Sequence, residues 1–199
     1  MKYAIIGSGQ IGIALARIFA RKNVEVRIAN SRGPETIKPL AKEAGASVHA
    51  VSIEEAHQAE MIFLAVPFTS HKEVAEEFED WSAKIIVDVT NALHVLPQSL
   101  AGRLSSEIVA DAFVGAHLVK AFNHLPAAQL GINPSSPGHR QAIFVSGNDA
   151  DANATVAALI VRLGLAPVDL GRLDQGGVPL HAVNGRPGGL LFQNVEKLG

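Results

Sequence analysis

Tyr3-Ala4-Ile5-Ile6-Gly7-Ser8-Gly9-Gln10-Ile11-Gly12 is a strand-length apolar run that breaks into a turn carrying three glycines. Ile11, Leu15, Ile18 and Phe19 follow at i, i+4, i+7 and i+8, the apolar stripe of a helix. In a strand–turn–helix of this kind, Gly7 allows the tight turn and Gly9 lets the backbone approach a pyrophosphate. Gly12 lets the helix pack closely on the sheet. The stretch from Gly7 through Ser8, Gly9, Gln10 and Ile11 to Gly12 is therefore expected to cradle a dinucleotide. A structural turn of some other βα unit is the plainer alternative. A charge-reading set about 20 residues further on argues against it.

Val24, Val26 and Ile28 alternate with Glu25, Arg27 and Ala29, as in a second strand. Sites that prefer NAD usually end this strand on Asp or Glu, which accepts from the ribose 2′-hydroxyl. Here Asn30, Ser31 and Arg32 stand instead. A carboxylate repels a 2′-phosphate, whereas a hydroxyl and a planar guanidinium bind one. The alternative for Arg32 is a solvated loop arginine. The sequence reads as NADP(H)-binding.

With 199 residues, 48% of them hydrophobic, the chain can bury a substantial core as one domain. A formal charge of −2 shows no basic face and argues against nucleic acid as a partner. The absence of cysteine excludes disulfides, a thiolate nucleophile and a Cys metal site. Met1-Lys2 runs straight into the first strand, and the apolar runs fall short of the roughly 18 residues of a membrane span. A cytoplasmic protein without a membrane partner is expected.

Strands and helices alternate along the rest of the chain. Helices are expected over 35–44, 70–78, 107–113 and 150–163. Strands are expected over 47–51, 61–66, 84–89, 117–122, 141–146 and 167–170. The run Met61–Val66 is apolar on both faces and so reads as central and parallel. The expected fold is α/β: a single Rossmann-type doubly wound domain with a mainly parallel sheet of seven or eight strands. A short Gly/Pro-rich tail follows from about residue 171, and Gly131–Gly138 and Gly185–Gly189 are the flexible places. Ligands of such sheets bind outside the carboxyl ends of the strands. Pro67-Phe68-Thr69, Thr90-Asn91-Ala92 and Asn123-His124-Leu125-Pro126 each follow an apolar run there. Ordinary turn chemistry is the alternative for each of them, but three sets converging on one edge favour a binding role.

Ala65-Val66-Pro67-Phe68, Asp88-Val89-Thr90-Asn91 and Val119-Lys120-Ala121-Phe122-Asn123-His124-Leu125-Pro126-Ala127 resemble the NADP oxidoreductase, coenzyme F-420-dependent family. The resemblance runs from Met1 to about Asp169, and the Lys-Ala-Phe-Asn-x-Leu-Pro run is its specific part. It implies NADPH over Ser8–Ile11 with its 2′-phosphate at Ser31 and Arg32. Its nicotinamide would be bracketed by Ala65, Val66, Pro67 and Phe68 on one side and by Thr90 and Asn91 on the other. A flat hydride acceptor, coenzyme F-420 or a flavin such as FMN or FAD, would stack near Asn123 and His124. The family analogy also implies a homodimer. This chain departs from the pattern at His124, where many relatives carry a smaller hydroxyl residue, and in its Gly/Pro-rich tail. Both departures fall on the acceptor side.

Hydride transfer between two such rings asks the protein for stacking distance, orientation and exclusion of water rather than for a nucleophile. The eight histidines show no zinc-ligand spacing, so no metal site is expected. His71, His94 and His181 are expected on the surface or in loops. Asn123 and His124 are the candidate catalytic pair: Asn123 both donates and accepts, and His124 is a hydrogen-bond donor or proton source. A turn histidine is the alternative for His124. Other small NADP-dependent reductases share the N-terminal half, but they add a helical domain that the short stretch after Leu170 cannot form. A non-catalytic NADPH-binding sensor is the alternative from another class.

Overall fold

In a computed structural model, which describes residues 1–93, 95–132, 140–176 and Leu180, the alternation resolves into one eight-stranded sheet. In chain order its elements are β1 (Tyr3–Ile6), α1 (Gln10–Arg21), β2 (Val26–Ala29), α2 (Lys38–Ala44), β3 (Val48–Ala50), α3 (Ile53–His57) and β4 (Met61–Leu64). Then come α4 (His71–Glu76), β5 (Ile85–Asp88), α5 (Ser105–Ala112), β6 (His117–Ala121), α6 (Ala127–Leu130), β7 (Ala142–Gly147), α7 (Ala150–Arg162) and β8 (Ala166–Asp169). The spatial order is β3-β2-β1-β4-β5-β6-β7-β8. All neighbours are parallel except β6 and β7, which are antiparallel, so β7 and β8 run against the other six.

Alternate strand residues feed two cores. Ile5, Phe63, Val87, Val119 and Val145 meet Leu15, Ile18 and Phe19 of α1 and Val156, Leu159 and Ile160 of α7 on one face. Ala4, Ile6, Ile62, Leu64, Ile86 and Leu118 meet Phe68, Val74, Trp81, Val109 and Phe113 on the other. Because β4 is covered on both faces, all four of its residues are buried, as its unbroken apolar run requires. Phe19, Phe63 and Phe122 form a chain of edge contacts at 5.5 and 5.7 Å across the first core.

Three local features differ from the sequence expectation. The helix expected over 35–44 is a 3₁₀ turn, Pro34–Thr36, followed by α2, whose first turn holds Pro39. Proline has no N–H and clashes with the preceding turn inside a helix, so the helix restarts where that residue is tolerated. A helix unforeseen by periodicity, α3, is started by Ser52: its hydroxyl accepts from Glu55 N at 3.2 Å, and Glu55 Oε2 accepts from Ser52 N at 3.0 Å. The short α6 follows Pro126. All of Gly185–Gly189, and Gly131–Gly138 apart from its first two residues, lie outside the described residues, as do His94 and His181. No helix among the described residues is long and apolar enough to cross a membrane.

Candidate cofactor and acceptor site

The strand order reverses between β1 and β4, and the loops leaving the carboxyl ends of β1, β2, β4 and β5 open onto the crevice there. Gly7 has φ +116, and a Cβ on it would lie 2.2 Å from the carbonyl oxygen of Ala65. Only glycine lets the loops after β1 and β4 touch in this way. A Cβ on Gly12 would lie 2.0 Å from the carbonyl oxygen of Gly7, so the first turn of α1 lies against the turn that leads into it. At Gly9 the same atom would meet nothing within 4 Å. Gly9 caps α1 without a side-chain hydrogen bond, and no acidic residue occupies the first turn. The first N–H groups of a twelve-residue helix thus carry the positive end of its dipole to an open concavity, the chemistry of an anion site. These features fit the pyrophosphate of a dinucleotide.

Asn30 is buried and joins two loops: its Nδ2 donates to Ser8 Oγ at 3.0 Å and to Thr36 Oγ1 at 3.2 Å, and its Oδ1 accepts from Arg32 N at 3.0 Å. The residue that stands where NAD-preferring sites carry an acid therefore ties the glycine turn to the loop after β2. Ser31 and Arg32 are exposed beside it. The Arg32 guanidinium has no partner among the described residues. An unpaired guanidinium beside a hydroxyl, with no carboxylate at the end of β2, fits a 2′-phosphate.

After β4, Ala65 and Val66 are half-buried and Pro67 is exposed. The Phe68 ring turns into the core, anchoring this loop from below. His71, expected on the surface, is buried against Phe68 with ring centroids 4.9 Å apart, and its Nδ1 is bonded to the Phe68 carbonyl. The 3₁₀ turn Phe68–Ser70 rolls the chain so that residue 71 faces inward, which corrects that expectation.

The loops after β5 and β6 are joined by their side-chain amides. Asn91 Nδ2 donates to the Asn123 carbonyl at 2.8 Å, and Asn123 Nδ2 donates to Asn91 Oδ1 at 2.9 Å and to the Leu180 carbonyl at 2.6 Å. Asn123 Oδ1 is buried and has no hydrogen-bond partner among the described residues. His124 is also buried, its ring 4.8 Å from Phe144 and its Nε2 3.1 Å from the Ala142 carbonyl. That bond makes Nε2 the protonated nitrogen and leaves Nδ1 as a buried acceptor without a partner among the described residues. Burial pushes the imidazole pKa below the ordinary histidine value, and the Ala142 bond offsets only part of this. The ring is held neutral, with its one N–H committed to the backbone.

This burial makes stability depend on pH. The unfolded ring takes a proton at about pH 6.5 and the folded ring resists it, so this contribution to stability is full above that pH. It is lost as pH falls through the lowered folded value. His124→Phe keeps an aromatic ring against Phe144 and removes the titrating group. Thermal unfolding at about pH 7.5 and 5.5 should show a smaller acid-induced loss in the variant than in the wild type. His57, whose pKa is lowered by burial and then by Lys84, contributes its own slope in both proteins. Equal losses in the two proteins would refute the assignment.

Beneath Thr90 and Asn91 lies a group that sequence reasoning misses. Asp88, the last residue of β5, and Lys120 of β6 are register partners, both wholly buried, with Nζ 3.0 Å from Oδ2. Thr90 N and Oγ1 donate to Asp88 Oδ1 at 2.9 and 2.7 Å, and Ser106 Oγ donates to Oδ2 at 3.0 Å. Lys120 Nζ also donates to the Thr90 carbonyl. Burial pushes the Asp88 carboxyl up, but Lys120 and the Thr90 donors outweigh it and hold the group below the usual carboxylate range. The available signal is a charge inside each of two apolar strand runs, Ile85-Ile86-Val87-Asp88 and Leu118-Val119-Lys120-Ala121.

A family model described as NADP oxidoreductase coenzyme F420-dependent matches residues 2–92. Metalloreductase STEAP3 of Rattus norvegicus is 30% identical over 175 residues, which cover 86% of this chain and 34% of the rat protein. The chain thus spans about a third of that curated relative. A hypothetical protein of Sinorhizobium meliloti shares 42% identity at TM-score 0.87, covering 99% of this chain and 96% of the other. A provisionally named F420-dependent NADP reductase from Arthrobacter sp. FB24 shares 28% identity at TM-score 0.68, covering 87% and 86%. The bare helix start, the open Gly9 and the Arg32 guanidinium, unpartnered among the described residues, all lie within residues 2–92, the stretch that matches the NADP oxidoreductase coenzyme F420-dependent family model.

Proposed function

We propose that this protein binds NADP(H) in the crevice between β1 and β4 and carries out hydride transfer with a small, flat acceptor of the flavin or deazaflavin type. The observation that carries the reading is the pairing of an open anion cradle at Gly9 with an unpaired Arg32 on the adjoining loop, fixed to it through Asn30. A bound nicotinamide supplies the hydride, or receives it in the reverse direction. The residues of the chain bind and orient. Ser8, Gly9, Gln10 and Ile11 would hold the pyrophosphate; Ser31 and Arg32 would hold the 2′-phosphate. Ala65, Val66 and Pro67, anchored by Phe68, would form one wall of the nicotinamide site, and Thr90 and Asn91 the other.

On the acceptor side Asn123 offers its unpartnered Oδ1 to the N–H edge of a ring. His124 serves as a positioning residue through the Ala142 carbonyl and Phe144, because its N–H is already engaged. His124→Ala is then expected to lower turnover with the acceptor while NADPH affinity changes little. The names of two relatives, an F420-dependent NADP reductase and a metalloreductase, keep F420 on the acceptor list and add a metal chelate to it.

The test is a titration with NADPH and NADH, followed by NADPH oxidation with F420, FMN, FAD, quinones and ferric chelates. Tighter NADPH binding and turnover with one of these supports the reading; equal affinity for the two nucleotides overturns the NADP(H) assignment. Tight NADPH binding without turnover on any acceptor favours a sensor. A two-fold dimer would close the open side of the crevice, and a monomer in sedimentation at micromolar concentration would refute that part.

A further inference from the structure

Asp88 and Lys120 are wholly buried and stand on the last paired rung of β5 and β6. Three residues further along each strand, Asn91 and Asn123 join the loops above them by two side-chain hydrogen bonds. Two apolar side chains would hold this rung at least as well, because a buried ion pair gives up hydration that its mutual attraction only roughly restores. Apolar side chains, however, cannot hold a backbone carbonyl and an amide of the adjoining loop. This pair does both. Lys120 Nζ donates to the Thr90 carbonyl, and Asp88 Oδ1 accepts from Thr90 N and Oγ1. Ser106, in the first turn of α5, supplies the remaining donor to Asp88, so all four bonds to the carboxylate come from positions fixed by regular structure or by the loop itself.

We propose that Asp88 and Lys120 are positioning residues: together with Asn91 and Asn123 they form a two-rung clamp that fixes the nicotinamide and acceptor walls relative to each other. The assignment of those walls rests on the proposed function; the clamp itself rests on the bonds. The function asks for a flat acceptor held at stacking distance, and rate falls steeply when such geometry loosens. A polar group buried under the loop resists that loosening in a way the sheet ladder, which ends at Asp88, does not.

The test uses the double variant Asp88→Asn/Lys120→Met, which removes both charges and leaves no unpaired ion in the core. The amide introduced by Asp88→Asn keeps an oxygen for Thr90 and an N–H for the Ser106 hydroxyl. Val87→Ala is the control, since it weakens the same strand pair one rung away without touching the loop. In ligand-free protein, amide hydrogen exchange over 89–92 and 122–125 is expected to rise about tenfold in the double variant, the loss of roughly one charge-assisted hydrogen bond, while β1 and α1 are unchanged. In Val87→Ala the two loops are expected to change no more than the strands beneath them. With cofactor, the double variant should keep NADPH affinity within about threefold and lose about tenfold in kcat/KM for the acceptor. Unchanged exchange in the two loops, or the same loop exchange in Val87→Ala, overturns the clamp. The expected exchange pattern with a wild type that binds no NADPH would support the clamp and sink the reductase reading instead. Should the double variant fail to fold, Lys120→Met with Asp88→Leu supplies an all-apolar rung, and the same exchange comparison decides.

Discussion

Gly7→Ala is expected to destabilise the protein by about 3–5 kcal/mol, and Gly9→Ala, two residues away, to change stability by less than about 1 kcal/mol. The reasons are local. At Gly7 an alanine must adopt φ +116 and place its methyl 2.2 Å from the Ala65 carbonyl oxygen, so either the turn or the loop after β4 must shift. At Gly9 the backbone is extended, at φ −73 and ψ −173, and the methyl meets nothing within 4 Å. That methyl instead occupies the concavity where the pyrophosphate is proposed to lie. Urea unfolding followed by NADPH titration separates the two variants. Gly7→Ala should lose stability and binding together, whereas Gly9→Ala should unfold at nearly the wild-type urea concentration and bind NADPH far more weakly. Wild-type NADPH affinity in Gly9→Ala would mean that the phosphates lie elsewhere.

Arg32→Ala is expected to cost about 1.5–3 kcal/mol of NADPH binding, roughly 10- to 150-fold, with NADH affinity unchanged. Arg32 is exposed and makes no side-chain bond among the described residues, so its removal leaves the fold alone. Its backbone N–H, which is retained, still donates to Asn30 Oδ1 and keeps the loop in shape. A parallel loss of affinity for both nucleotides would point to a distorted loop rather than a lost phosphate contact. Asn30→Ala provides the contrast: it breaks the link to Ser8 and should weaken both nucleotides together.

Much of this architecture can be read from local sequence. The first βαβ unit is legible because each glycine answers to a separate steric demand within a dozen residues. The two-sided burial of β4 is legible because Met61 to Leu64 contains no polar residue. The opposite direction of β7 is not visible locally, since Ala142-Ile143-Phe144-Val145 is equally apolar whichever way it is laid against β6. The role of Asn30 in tying two loops together is not legible, because its bonds to Ser8 and Thr36 depend on how those loops meet in space. His71 reads as exposed because the 3₁₀ turn before it, not its helical position, decides which way it faces. The Asp88–Lys120 pair joins residues from different strands, and a strand-end charge by itself resembles the start of a loop. The Ser52–Glu55 capping box is written in the sequence, but α3 is too short to display a period.

The bond from Asn123 to Leu180 bears on how the protein should be handled at the bench. Because β7 and β8 run against the other strands, β8 heads away from the crevice, but its last residue, Asp169, is level through Val145 with Ala121 at the carboxyl end of β6, and at Leu180 the chain lies beside Asn123. A truncation before Leu180, or a fluorescent label or surface tether near it, is thus a change to the acceptor wall. Met1 is exposed at the opposite end of β1, which makes it the attachment point that leaves the crevice free.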